Sequence, residues 1–418
     1  MTRVDAARLQ RDLETLGAIG RHPGGGITRT AFSAEDAEAR QWYQRECEKA
    51  GLDLELDGLG NMFVSIPGAS GEVAGVWSGS HLDTVPNGGA YDGALGAVAA
   101  LECLRRIREL GISTERPVRA VVFSDEEGNY GSLLGSLGLR AGYTAQQLGQ
   151  LTGRDGDRLV DALAAWPWAS GSPAETRLGE SALAAFVELH IEQGPKLEAS
   201  ATDIGVVSSI VCLGGARLSF VGQADHAGTT PMLSRSDALV AASDFIARIP
   251  ELAMAVSPNC VATCGFTHVH PGAANVVPGE VECSLDFRDP DLAVIEKLGR
   301  DLEAMARMTA ERHGVTLLWA PSVTVPPVPM HGLVQRAVAD AADELGLSRT
   351  SIASGAGHDS QNMAHLAPTG MIFVPSVGGR SHSPAEFTAW SDVTNGANVL
   401  LATVLRLAGR QPVSGRER

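Results

Sequence analysis

No apolar run in this 418-residue chain approaches the ~20 residues that a membrane-spanning helix needs, which excludes a helical span. The opening MTRVDAARLQRDLETLGAIG is amphipathic and carries acids, with no apolar core of a leader. It reads as neither signal peptide nor anchor, so a cytoplasmic protein is expected. Basic residues are few: 33 Lys and Arg stand against 49 Asp and Glu, a formal charge of -16 that excludes nucleic acid as a partner. An anionic small molecule stays open, because one local cation can serve it inside an acidic protein. The six cysteines (47, 103, 212, 260, 264 and 283) are scattered through apolar segments. Cys260 and Cys264 have no second pair for a zinc knot, so free buried thiols in a reducing compartment are expected. Neither an internal repeat nor a low-complexity tract is visible.

Such a length is too great for one ordinary core and predicts two domains. Helical periodicity is expected over about 5–19, from Ala34 to Ala50 with Gly51 as its stop, and over 94–110 and 332–345. Between these lie short apolar runs, MFVSIP, VAGVWSGSH, VRAVVFSDEEG, AAFVELHIEQG and TGMIFVPSVGG, which read as strands. The alternation predicts an α/β fold with a parallel or mixed sheet. The stretch near 210–326 differs: strand, helix, two strands, helix, strand, a self-contained βαββαβ module. The Pro-rich SVTVPPVPMHG after it reads as a return linker. The expected organisation is a discontinuous α/β domain from 1–209 and 327–418, with 210–326 inserted into it.

The chemistry concentrates in SGSHLDTVPNGGAYDGALGAVAALE, residues 78–102. His81 and Asp83 end an apolar segment, and Asp92, held among glycines, heads an Ala-rich helical run. Imidazole and carboxylate together suit a divalent ion, and a carboxylate can bridge two. Three more expected strands of the outer domain end in, or lead into, such groups: Glu126 and Glu127, His190, and His382. Ligands of open α/β sheets gather beyond the carboxyl ends of the strands. A two-metal reading makes Asp92 the bridge and His81, Glu127, His190 and His382 the terminal ligands. Glu126 is then left over as a general base for water. Asp83 suits the fixing of a ligand imidazole, or equally a helix cap. His22, His268, His270, His313, His331 and His365 sit in no such setting and are taken as structural or surface residues.

In order along the chain, HLDTVPNGGAYDG, SDEEGNYGSLLGS, ELHIEQGP, GQADHAGTTPM, NVVPGEVECSLDFRD, GAGHD and GGRSHSP resemble the amidase/hydantoinase/carbamoylase branch of the dinuclear zinc aminoacylase–carboxypeptidase superfamily. The resemblance runs from about 78 to 385. It implies a metal-binding α/β domain carrying an inserted βαββαβ lid that dimerises. It implies His81 and His190 as terminal ligands of one metal, Glu127 and His382 of the other, Asp92 as the bridge and Glu126 as the base. Peptidase relatives usually have an acid at the position of His190, so HIEQGP points to the carbamoylase and ureido-hydrolase branch.

The same resemblance implies substrate contacts for Gln193, for Gly357 and His358, and for His226, Asn275 and Arg288 of the lid, with His226 reaching the partner subunit's site. Arg288 offers a planar fork for an α-carboxylate, which Lys does not match; its other partners would be Asp286 or Asp289. Asn275 could equally be a turn residue. The expected activity is metal-dependent hydrolysis of a linear ureido C–N bond, with N-carbamoyl-L-amino acids as substrates. His226 would stabilise the developing oxyanion. Allantoate and β-ureidopropionate are the alternatives, and a non-catalytic metal-binding protein the remote one. Two divalent ions per subunit are expected, zinc, manganese, cobalt or nickel, in a homodimer.

Overall fold

The computed structural model describes residues 2–179, 181–322 and 324–409. The chain divides into two compact units, one formed up to Ser208 and again from Pro329, the other Ser209–Val328.

The first unit is built on four parallel neighbouring strands, in the order Val118–Phe123, Gly75–His81, Leu183–Ile191 and Thr369–Val374. Antiparallel strands flank them: Met62–Ile66 and Leu54–Leu56 on one side, Ile204–Ile210 on the other. Successive side chains leave a strand on opposite faces, and both faces here are covered. Val64, Val76, Val122, Val187 and Leu189 pack with the helices Ala94–Glu109 and Trp390–Leu407. Phe63, Trp77, Val121, Phe123 and Phe186 enter a second cluster with Leu139 and Met363. Full burial of such a side chain contributes about 1.5–3 kcal/mol. Gly96 lets the first helix rest directly on the sheet, since a Cβ there would stand 2.3 Å from the Leu189 carbonyl oxygen.

The second unit is a four-stranded antiparallel sheet in the order Thr316–Pro321, Cys212–Val221, Glu280–Asp289, Val261–His270. Its strands alternate buried and less buried residues, as one-sided burial requires. The buried side packs on the helices Ala238–Val256 and Leu292–His313, through Phe220, Phe245, Phe287, Leu298 and Leu302. Asp237 and Asp291 cap those helices by accepting backbone amides. The element order is that of a βαββαβ module, with a short ribbon added where Asp225–His226 pairs with Val276–Val277.

Three local expectations shift. The first helix is Ala6–Leu16, because Gly17 closes it with bonds back to Leu13 and Thr15. The Pro-rich return is not wholly linker: Val325 bridges to Leu213, and Val328–Pro329 forms a short strand at the end of the large sheet. The strands Ile204–Ile210 and Arg349–Ser354 were not among the expected elements and pair with each other at the sheet margin. Among the described residues no helix is long and apolar enough to cross a membrane.

Candidate metal centre

The four parallel strands bring their carboxyl ends to one edge, where His81 pairs in register with Phe123 and His190 with Phe373. His81 is the last residue of its strand, and its Nδ1 lies 3.0 Å from the backbone carbonyl of Asp83. Nδ1 of His190 likewise meets the Ile191 carbonyl at 2.9 Å. Each carbonyl accepts from Nδ1, which turns the other nitrogen, Nε2, toward Asp92. Asp92 Oδ1 lies 3.7 Å from His81 Nε2 and 3.1 Å from His190 Nε2. Its other oxygen lies 3.4 Å from His382 Nε2, which is 3.5 Å from Glu127 Oε1.

The resulting groups, His81–Asp92–His190 and Asp92–Glu127–His382, share Asp92. Ligand atoms about 2.0–2.1 Å from one tetrahedral cation stand about 3.3 Å apart, and these separations bracket that value. A second observation points the same way: the buried Glu127 Oε1 has no hydrogen-bond partner among the described residues. The donor set therefore fits divalent ions. A third group, Glu188–His190–His358, fits less well. Glu188 already accepts from Ser80 Oγ at 2.7 Å and from the Ser360 amide and hydroxyl at 3.1 and 2.6 Å.

Electrostatics treats the two strand-end histidines differently. Burial drives the pKa of His81 down to about 4, so its ring is neutral, as a ligand must be. Burial would lower His190 too, but the Asp92 carboxylate overrides it and lifts His190 to about 9. Asp92 itself lies well below the usual carboxylate range despite burial, through His190, His382 and His81. Glu127 is pushed up to about 8, by burial first and then by Asp92. Glu126 belongs to neither pair of ligands and is raised well above its ordinary value by burial, then by Asp359 and Glu127. Its Oε2 lies 3.6 Å from His81 Nε2.

Asp83 departs from the expectation. The imidazole of His81 is held by the Asp83 backbone, while the carboxylate stands 3.7 Å off and turns to other donors. It accepts from the amides of Glu127 at 3.1 Å and Glu126 at 3.4 Å, so it fixes the two glutamates instead. Two backbone amides satisfy a buried carboxylate better than one imidazole already bonded elsewhere.

Gln193, with φ 59°, donates to Asp92 Oδ2 at 2.7 Å. His358 is buried with its ring centroid 4.5 Å from that of His190, and Nε2 is 2.9 Å from Ser354 Oγ. Burial, and then His190, keep it well below the ordinary histidine value, hence neutral. Gly357 precedes it on an exposed turn. In the second unit, His226 and Asn275 are exposed neighbours on the short ribbon, where the Ala227 amide donates to the Asn275 carbonyl at 2.9 Å. Arg288 lies toward the other end of the same sheet: Glu280 pairs with Val221 near the ribbon, Arg288 with Leu213. Its fork meets Asp286 at 2.9 and 3.1 Å.

Sequence reasoning passed over Glu386, Ser381 and Glu188. Glu386 is buried and accepts the Tyr91 and Asp92 amides at 2.8 and 3.1 Å. The only available signal was an acid four residues after His382 in HSPAE.

With this geometry in place, comparison with known proteins is informative. The model of Peptidase family M20/M25/M40 matches residues 77–406. An N-carbamoyl-L-amino-acid amidohydrolase of Paenarthrobacter aurescens is 35% identical over 97% of this chain and 99% of its own length. An allantoate amidohydrolase of Bacillus subtilis is 33% identical, covering 95% of this chain and 96% of its own. The crystal structure of an amidase of the hydantoinase/carbamoylase family from Burkholderia multivorans superposes with a TM-score of 0.90 at 35% identity, over 99% and 100% of the two chains. That family is metal-dependent, and the ligand groups above are where this chain carries its candidate metal sites. The chain belongs to Peptidase family M20/M25/M40, in its carbamoylase and allantoate amidohydrolase branch, and is an amidohydrolase, a hydrolase of C–N bonds other than peptide bonds.

Proposed function

We propose that the substrates are N-carbamoyl-L-amino acids, hydrolysed to the amino acid, carbon dioxide and ammonia. The observation that carries the reading is the pair of ligand groups sharing Asp92, with Glu126 left outside both. His81 and His190 would hold one divalent ion and Glu127 and His382 a second, with Asp92 common to both sets; zinc, manganese, cobalt and nickel all suit this mixed nitrogen and oxygen set. The chemistry such ions would supply is polarisation of the ureido carbonyl and a pKa of water nearer neutrality.

Glu126 takes a proton from the attacking water, whose oxygen adds to the carbamoyl carbon. The bond from that carbon to the amino-acid nitrogen breaks, and Glu126 returns the proton to the departing nitrogen. The carbamic acid released then falls apart to carbon dioxide and ammonia. Gln193 and Asp83 hold Asp92 and the two glutamates in place, through the bonds given above. His358 and Gly357 line the substrate's approach. Arg288 clamps the α-carboxylate, Asn275 donates to a substrate oxygen, and His226 stabilises the oxyanion.

A homodimer is part of this proposal. From Glu280 to Arg288 the strand runs eight residues, roughly 26 Å of extended chain, with the His226 ribbon beyond its far end. That separation exceeds a small ureido substrate, which supports a site that takes Arg288 from one copy and His226 from another. Mixing inactive His226→Ala and Glu126→Gln chains under subunit exchange should regenerate activity, because one site of each mixed dimer then carries neither defect. A mixture that stays inactive despite proven exchange rejects the shared site.

The substrate itself is tested by assaying metal-loaded protein against N-carbamoyl-L-amino acids, allantoate and β-ureidopropionate. The proposal expects the highest kcat/KM for a carbamoyl amino acid. Faster turnover of allantoate would move the chain to the reading that its Bacillus relative suggests.

A further inference from the structure

We propose that Glu386 is a positioning residue for the metal centre, fastening the segment that carries Asp92 to the one that carries His382; this rests on the ligand assignment proposed above. One oxygen of Glu386 accepts the amides of Tyr91 and Asp92, at 2.8 and 3.1 Å, from residues 295 and 294 positions away in the chain. The other accepts from Ser381 Oγ at 2.9 Å, and that same hydroxyl lies 2.7 Å from Asp92 Oδ2. Ser381 immediately precedes His382. One carboxylate thus holds the backbone of the bridging ligand, and the Ser381 hydroxyl, whose single proton serves one carboxylate at a time, stands between it and that ligand's side chain on the loop that carries His382.

The chain makes room for this arrangement. At Gly89 a Cβ would stand 2.0–2.4 Å from the Glu386 carboxylate atoms, so a side chain there would evict it. Buried carboxylates are retained only with donors around them, and three donors reach this one. Two carboxylates gathered around one hydroxyl repel each other, and a cation on Asp92 offsets that repulsion. The arrangement therefore belongs to the cation-bound centre more than to the fold. Residues that orient metal ligands typically cost 10–100-fold in metal affinity when removed.

The test is Zn²⁺ titration of metal-stripped full-length protein against a chromophoric chelator, with melting temperatures of the stripped forms. Glu386→Ala should bind Zn²⁺ at least ~10-fold more weakly than wild type. Glu386→Gln, which keeps an acceptor for both amides, should stay within about threefold. Equal losses in the two variants would mean that charge matters and position does not, overturning the proposal. So would wild-type affinity in Glu386→Ala. Should Glu386→Ala not fold, Ser381→Ala decides: a ~10-fold loss with an unchanged stripped-form melt supports the link, and affinity within twofold of wild type overturns it. Wild-type protein that takes up no Zn²⁺, or Asp92→Ala that binds as wild type does, would overturn the centre itself and this role with it.

Discussion

Gly93 ties fold to chemistry at one atom. It precedes the helix Ala94–Glu109 with φ 63°, and a Cβ placed on it would stand 2.3–2.4 Å from three atoms of the His81 ring. Gly93→Ala therefore faces two separate costs. With φ 63° and ψ -50°, Gly93 centres a tight turn in which the Ala94 amide donates to the Asp92 carbonyl, and holding an L-residue there costs about 1–3 kcal/mol. The contact is worse, because carbon atoms settle near 3.5 Å and the ring must retreat by about 1 Å. His81 is 1% exposed and held at Nδ1 by the Asp83 carbonyl, so its retreat moves Nε2 as well. Metal–ligand distances tolerate about 0.2 Å. The expected result is a loss of Zn²⁺ affinity of at least ~100-fold, removing roughly 2.7 kcal/mol of metal-linked stability at fixed free metal. Gly71→Ala is the control, since Gly71 has φ 72° and nothing within 4 Å of its Cβ position. It should show the backbone cost alone, with unchanged affinity. Chelator competition and paired melts with and without Zn²⁺ measure both. Wild-type affinity in Gly93→Ala would refute the placement of His81 as a ligand.

Three other outcomes follow from the same geometry. Chelation should abolish turnover and a divalent ion should restore it; full activity in rigorously metal-free protein would end the mechanism. Glu126→Gln should retain metal while turnover falls at least ~100-fold, the scale of a lost general base, and activity above a tenth of wild type would remove Glu126 from that role. Arg288→Lys should weaken α-carboxylate substrates by roughly 1.5–3 kcal/mol and barely affect amide-capped ones. Equal losses on both would assign Arg288 a structural role with Asp286.

The features legible in the sequence were those written in periodicity. The strand ending at His81, the strand with His190 next to its end and the strand before Glu126 are apolar runs bounded by turns, and a parallel sheet gathers their carboxyl ends. The alternation in Cys212–Val221 and Glu280–Asp289 likewise announces a one-sided sheet. Other features depend on backbone groups meeting across hundreds of residues, and no local pattern encodes that. Glu386 reads as a loop acid until its bonds to Tyr91 and Asp92 are seen. The carboxylate of Asp83, read from sequence as suiting either the imidazole of His81 or a helix cap, serves amides 43 and 44 positions away. Ile204–Ile210 carries buried apolar residues, but its partners Thr369–Val374 and Arg349–Ser354 lie far along the chain, and no local pattern announces that pairing.

On the proposed mechanism, the turn after Val118–Phe123 separates two glutamates by role. In SDEEGNYG, Asp125 takes φ 52° and its carboxylate accepts the amides of Asn129, Tyr130 and Gly131 at 2.6, 2.8 and 3.0 Å. That closes the loop on itself and reverses the chain directly beyond the strand. From the other side, Asp83 pins the amides of Glu126 and Glu127. The backbone of both glutamates is therefore fixed before their side chains meet anything. Adjacent side chains on such a fixed segment diverge. Glu127 joins Asp92 and His382 in one ligand group, while Glu126 falls outside it with Oε2 beside His81. A base must stand near the reacting water without being consumed as a ligand, and rigid neighbours are what maintain that difference. On the proposed mechanism, Asp83 and Asp125, neither of them touching substrate, would be what lets consecutive glutamates do different chemistry.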